Sequence, residues 1–175
     1  LKGLKPGLRA AAAGALWLCA HMAGAQSLWG PAQAGMTPDE LKAAVPQVER
    51  SRRPDRLPNG LRGTWTLPET PLAGEKYETV FYFKDDRLQQ VAQTHASTRQ
   101  ACDMRPAFEA LLSRMRASYG LELAADDRQN SGFGTQTASW VADEVDITAT
   151  LSTQPNRCAI RVSYKPRLLK DASAL

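Results

Sequence analysis

VDITATLSTQPNRCAIRVSY, Val145 to Tyr164, is the stretch on which the fold turns. Val145, Ile147, Ala149 and Leu151 alternate with Asp146, Thr148, Thr150 and Ser152. Beyond Gln154-Pro155-Asn156, Cys158, Ile160, Val162 and Tyr164 alternate with Ala159, Arg161, Ser163 and Lys165. A period of two puts every second side chain on one side of the backbone. Two such runs joined by a Pro-Asn turn predict an antiparallel hairpin with one buried and one solvated face, and Cys158 belongs to the buried one. Upstream, Thr135 to Val141, which contains Trp140, predicts a further strand.

The buried face needs a cover, and the segment before these strands supplies one. Phe108, Leu111, Leu112, Met115 and Tyr119 fall on a single helical stripe. Asp103 is a suitable N-cap, Pro106 is tolerated in the first turn, and Gly120 suits a left-handed C-cap. The stripe reads as a core face packed on a sheet rather than as a ligand groove.

The first half of the chain shows a similar order. GMTPDELKAAVP reads as a short helix with Thr37 as N-cap, Pro38 at the first helical position, Glu40 completing a capping box and Pro46 ending it. Gln47 to Gly60 reads as a polar loop bearing Arg50, Arg52, Arg53 and Arg56. Leu61 to Leu67, with Trp65, predicts a strand, and LPETPLAGE predicts a loop because of its two prolines and its glycine. Tyr77 to Lys84 predicts a central strand, since Val80 and Tyr82 on one side and Phe81 and Phe83 on the other are all apolar. A tight turn at Asp85-Asp86 leads into a strand from Arg87 to His95.

The expected fold class is therefore α+β: duplicated helix-plus-antiparallel-sheet units, α-β-β-β twice, with the helices packed on one face of the sheet. The half-repeats span about 35–95 and 102–165 of a single domain, 26–165, with a flexible tail at 166–175.

The first 25 residues read differently. Lys2, Lys5 and Arg9 precede the apolar AAAGALWLCAHM, and Ala23-Gly24-Ala25 is a small-x-small cleavage site, so 1–25 has the three parts of a signal peptide with cleavage near Ala25-Gln26. The apolar run is short for a membrane anchor. Cys19, preceded by Leu18, reads as part of the leader rather than as a lipidation site. The expected location is periplasmic or secreted. The leader holds three of the 22 Lys+Arg and none of the 18 Asp+Glu, which leaves 19 against 18 and gives no support for a nucleic-acid partner. Cys102 and Cys158 remain, and in an oxidising compartment they are expected to form a disulfide worth about 3–5 kcal/mol on the loop-entropy model.

Gly35-Met36-Thr37 before a helix, then Trp65, Tyr77 to Phe83 and Leu88 to Val91, resembles the small outer-membrane lipoprotein of the β-barrel assembly machinery. The arrangement also resembles the tandem-repeat fold of the secreted β-lactamase inhibitory protein. The assembly lipoprotein has a lipidated cysteine and a single unit, whereas this chain reads as two units. The resemblance implies a fold more than an activity.

Catalytic parts do not converge in the sequence. His95 follows the leader's His21 as the second of two histidines and has no Asp or Cys placed to complete a nucleophile set. The acidic pairs Asp85-Asp86, Asp126-Asp127 and Asp143-Glu144 stand in turn segments without calcium-loop spacing. No catalytic, metal or cofactor residue is assigned. The expectation is a non-enzymatic, exported protein-binding or envelope-assembly accessory module with an envelope protein as its partner and no membrane-spanning segment. Its candidate contacts are Arg52, Arg53, Arg56, Trp65, Tyr82 and Trp140, since Arg and aromatic residues dominate interface hot spots. The alternative is an inhibitor or sensor of an envelope hydrolase that presents Glu69 to Lys76 or Asp126 to Gly134 as a loop.

Overall fold

The Val145-to-Tyr164 hairpin forms as its alternation requires: Leu151 pairs with Ile160 and Ile147 with Tyr164 in an antiparallel ladder. The structure, a computed structural model, describes residues 26–99, 102–130 and 133–167; the expected signal peptide and most of the tail lie outside them. In chain order the elements are β1 (Ser27–Trp29), β2 (Ala32–Gln33), α1 (Pro38–Ala44), β3 (Glu49–Arg56), β4 (Arg62–Leu72), β5 (Glu75–Lys84) and β6 (Arg87–Ser97). They continue with α2 (Arg105–Tyr119), β7 (Ala124–Asn130), β8 (Phe133–Ala142), β9 (Val145–Gln154) and β10 (Arg157–Pro166).

Eight of the strands form one antiparallel sheet in the order β3-β4-β5-β6-β10-β9-β8-β7. Its two four-strand meanders join where β6 pairs with β10, Val91 opposite Tyr164 and Ser97 opposite Cys158. The expected α+β class is thereby corrected. Strands hold 59% and helices 16% of the described residues, so the molecule is mostly β, with four strands after each helix instead of three. The sequence reading missed the short β1–β2 hairpin and two strands of this sheet, and those two are both edges. β3 occupies the expected arginine loop, and β7 reaches into the expected loop at Asp126. An edge strand has a solvated flank and needs no apolar alternation, and it tolerates a proline such as Pro54.

β4 also runs on through the expected LPETPLAGE loop to Leu72, with register shifts between Leu67 and Thr70, and turns into β5 at Ala73-Gly74. Both turn residues have positive φ, 49° and 87°, as do Asp85 and Asp86 at the next turn, 50° and 55°. Two consecutive left-handed residues suit the right-handed twist of the strands they join.

Each helix is set by local chemistry. The Glu40 amide donates to Thr37 Oγ1 at 3.3 Å and the Thr37 amide to Glu40 Oε2 at 2.7 Å, which completes the capping box of α1. α2 begins one residue later than expected, with Met104 at the N-cap and Asp103 bonded instead to the Arg105 amide and guanidinium. Phe108, Leu111, Leu112 and Met115 are buried, and the stripe ends at the exposed Tyr119.

These side chains and Leu41 join Phe81, Val91, Trp140, Ile147, Ile160 and Val162 in one apolar cluster on the helix-covered face of the sheet. The N-terminal hairpin packs there too: the Trp29 ring meets Phe81 edge-on at 5.8 Å, and Gly35 and Met36 exchange backbone hydrogen bonds with Leu88. Cys102 and Cys158 lie at disulfide distance, with Cα atoms 6.1 Å apart, pinning the mouth of α2 to β10.

Candidate binding face

The sheet face opposite the helices has a different composition. On β8, β9 and β10 its positions include Thr137, Ser139, Thr148, Thr150, Ser152, Arg161 and Ser163, with Val141, Asp146 and Ala159, all half-exposed, and the exposed Thr135 and Lys165. They are the mostly polar phase of the alternation that buries Ile147, Leu151, Ile160 and Val162 on the other side.

On β5 and β6 the same face is capped by the segment that links β3 to β4. Leu57 and Leu61 fold over Val80, Tyr82 and Ala92 in a second, smaller apolar cluster, held by a Leu57 amide bond to the Leu61 carbonyl at 3.0 Å. Tyr82 fits because its register partner on β4 is Gly63. A Cβ at Gly63 would stand 2.6 Å from Val80 Cγ1 and 3.1 Å from the Tyr82 ring, so the close approach requires glycine.

A polar network rises from this cap. The Tyr82 hydroxyl donates to Asp55 Oδ2 at 2.8 Å and accepts from Arg161 Nη2 at 3.0 Å, while the Arg161 guanidinium stands 5.5 Å from the centre of the Tyr82 ring. Burial pushes the Tyr82 pKa up, against the pull of the nearby Arg161 charge. Three segments distant in sequence, the end of β3, β5 and β10, are thus tied together on one face.

Beside the network lies a pocket of about 370 Å³ lined by Leu57, Pro58, Asn59, Gln90, Arg161, Ser163 and Lys165. Gln90 is 2% exposed, and its Oε1 has no hydrogen-bond partner. On the helix-covered face a second cleft, about 440 Å³, opens between β1, α2 and the sheet, lined by Trp29, Leu72, Gln93, Met115, Val145 and Tyr164 among others. Its floor is internally bonded: the Tyr164 hydroxyl donates to Gln93 Oε1 at 3.1 Å, Gln93 Nε2 to Thr79 Oγ1 at 3.3 Å, and Thr79 to Thr70 at 2.9 Å.

The residues singled out in the sequence are dispersed by the fold. Arg52, Arg53 and Arg56 are exposed on edge strand β3, which replaces the expected loop. Tyr82 belongs to the network just described. Trp140 is 1% exposed in the main core, its indole N–H donating to the Gly120 carbonyl at 3.0 Å. Trp65 is half-buried against the same core, with Lys42 Nζ 5.6 Å from its ring centre. His95 is held by its Nδ1 on the Lys76 carbonyl at 2.9 Å and lies 3.7 Å from Glu75. Among the described residues no group of three His, Cys, Asp or Glu side chains could hold a metal ion, and no helix is long and apolar enough to cross a membrane.

Asp55, Gln90, Arg161, Ser163 and Lys165 were not legible as partners of Tyr82. The available signal was the cation-bearing polar phase of β10, Arg161, Ser163 and Lys165 at successive outward positions, but which strand would lie beside it depends on the β6–β10 pairing.

No protein-family model, curated protein or solved structure matches the chain.

Proposed function

We propose that the protein is an exported, non-enzymatic module that binds a protein partner in the cell envelope through the sheet face opposite its helices. The single observation that carries this reading is the contrast on that face: a half-exposed field of Thr and Ser side chains bordered by the fixed Tyr82–Arg161–Asp55 network. Short hydroxyl side chains on a sheet lose little conformational entropy when covered, and a pre-positioned aromatic–arginine pair supplies the kind of anchor that dominates interface energetics. The exposed arginines of β3 stand at the opposite edge of the sheet, with β4, β5 and β6 between them and β10, and a partner broad enough to reach that edge would meet them with acidic groups, where charge acts on the association rate more than on the final affinity. The leader-like residues 1–25 support the envelope location.

The test is photocrosslinking in intact cells from a probe at Thr150, in the field, and from one at Glu109, exposed on α2. A partner captured from Thr150 and not from Glu109 is the expected result, and a hydrolase as that partner would give the binding an inhibitory or sensing role. Capture from Glu109 alone would overturn the proposed face.

A further inference from the structure

We infer that the pocket beside Tyr82 receives the C-terminal end of a peptide chain, its terminal carboxylate between Arg161 and Lys165 and its last amide against Gln90. This inference rests on the binding-face reading and names the chemistry the face would recognise.

The argument begins with Gln90. A glutamine this buried ordinarily has its amide bonded, because removing both ends from water without replacement is costly. Gln90 is 2% exposed, lines the pocket, and leaves Oε1 unpaired. A side-chain amide needs an N–H to satisfy its oxygen and an acceptor to satisfy its nitrogen. A peptide unit presents both, and a half-turn of the soft terminal torsion brings either end of Gln90 to it.

The two cations supply the second part. Arg161 uses Nη2 on the Tyr82 hydroxyl, and neither Arg161 nor Lys165 has a carboxylate within ion-pair distance among the described residues. Two acids lie near by position, and neither forms an ion pair with these cations. Asp55 accepts from Tyr82 and from the Arg56 amide. Asp146 stands opposite Lys165 in the β9–β10 register. A planar carboxylate matches the donor fork of a guanidinium, and Tyr82 below fixes where that fork lies.

A bare anion would leave Gln90 Oε1 without a donor, and a mid-chain peptide would leave the two cations without a charge. A chain end answers both. The pocket is open to solvent on one side, so a chain can enter it by its end. Leu57 and Pro58 on the rim favour an apolar last side chain.

The probe is acetyl-Gly-Ala-Leu with a free carboxylate, titrated into the purified protein while the side-chain amide resonances of Gln90 and the guanidinium resonance of Arg161 are followed by NMR. Saturable shifts of both are expected, with the C-terminal amide of the same peptide binding at least about tenfold more weakly. Gln90→Met, close in volume, and Lys165→Met, on an exposed side chain, should each weaken the free acid roughly five- to tenfold, and Asp146→Asn should tighten it about twofold. Equal affinity for acid and amide overturns the inference, as does failure of the peptide acid to bind at millimolar concentration. Acetate or inorganic phosphate competing as well as the peptide, with Gln90→Met without effect, also overturns it by reducing the pocket to a plain anion site. If Thr150 captures a partner but the peptide acid does not bind, the pocket inference falls while the binding face stands. If neither occurs, both fall.

Discussion

Gln93 and Gln90 lie three residues apart on β6, each 2% exposed, on opposite faces of one sheet. The Gln93 amide is answered at both ends within the chain, by Tyr164 and by Thr79, which bonds on to Thr70. Around Gln90 the amide oxygen is left open beside two cations. The larger cleft is thus the one whose polar floor is internally satisfied, and the smaller pocket holds the free capacity. Volume alone would have ranked them the other way; hydrogen-bond satisfaction separates a structural polar cluster from one suited to a ligand.

The largest expected effect tests how far the helix-covered side depends on its clamp. Cys158 belongs to that face of β10 and Arg161 to the other. Replacing both cysteines by alanine removes a cross-link spanning 56 residues and should lower unfolding free energy by about 4 kcal/mol on the loop-entropy model. Urea denaturation measures it. If the folded double variant still binds the peptide acid, the two faces are energetically separate.

The sharpest form of the comparison makes the same substitution twice. Gln93→Met leaves the Tyr164 hydroxyl without its acceptor and Thr79 without its donor, so a loss of roughly 2–3 kcal/mol is expected. Gln90→Met removes a buried polar group that has no partner and should be neutral or gain about 1 kcal/mol while losing peptide affinity. Opposite signs in paired urea titrations support the distinction, and equal losses would remove it. Tyr77 extends the test within the helix-covered side. Its hydroxyl is buried without a partner, burial pushes its pKa up to about 12, and Tyr77→Phe is expected to change stability by less than about 1 kcal/mol.

The parts of this architecture that were readable from the sequence are those carrying an apolar period. The β9–β10 hairpin, the α2 stripe and the α1 capping box all follow from spacings within a few residues of one another. β3 and β7 were not readable, because an edge strand is specified by backbone pairing to one neighbour and leaves side chains such as Arg52 and Arg53 in water. The pocket was less readable still. Tyr82 stood out as an aromatic residue, but Arg161 reaches it only because β10 pairs with β6, and Asp55 only because the missed β3 pairs with β4. Trp140 shows the converse: a conspicuous aromatic whose indole N–H is satisfied by Gly120 and whose ring completes the core.

Two arginines repeat the contrast at smaller scale. Arg116, on α2, donates from Nε and Nη2 to the two carboxylate oxygens of Glu122 at 2.9 and 2.7 Å, whereas Arg161 has only the Tyr82 hydroxyl. The Arg116 hydrogen bonds, with help from a backbone N–H, hold the Glu122 pKa at about 2, below its ordinary 4.5. A carboxyl whose pKa is depressed by folding stabilises the native state above its unfolded value and loses that contribution as pH falls through its folded value. Glu122→Gln should therefore be less stable than the wild type at pH 7. That difference should shrink as pH drops from about 4.5 and vanish near about 2. Parallel urea titrations across that window measure the gap, and one that stayed constant with pH would assign it to packing rather than to the ion pair.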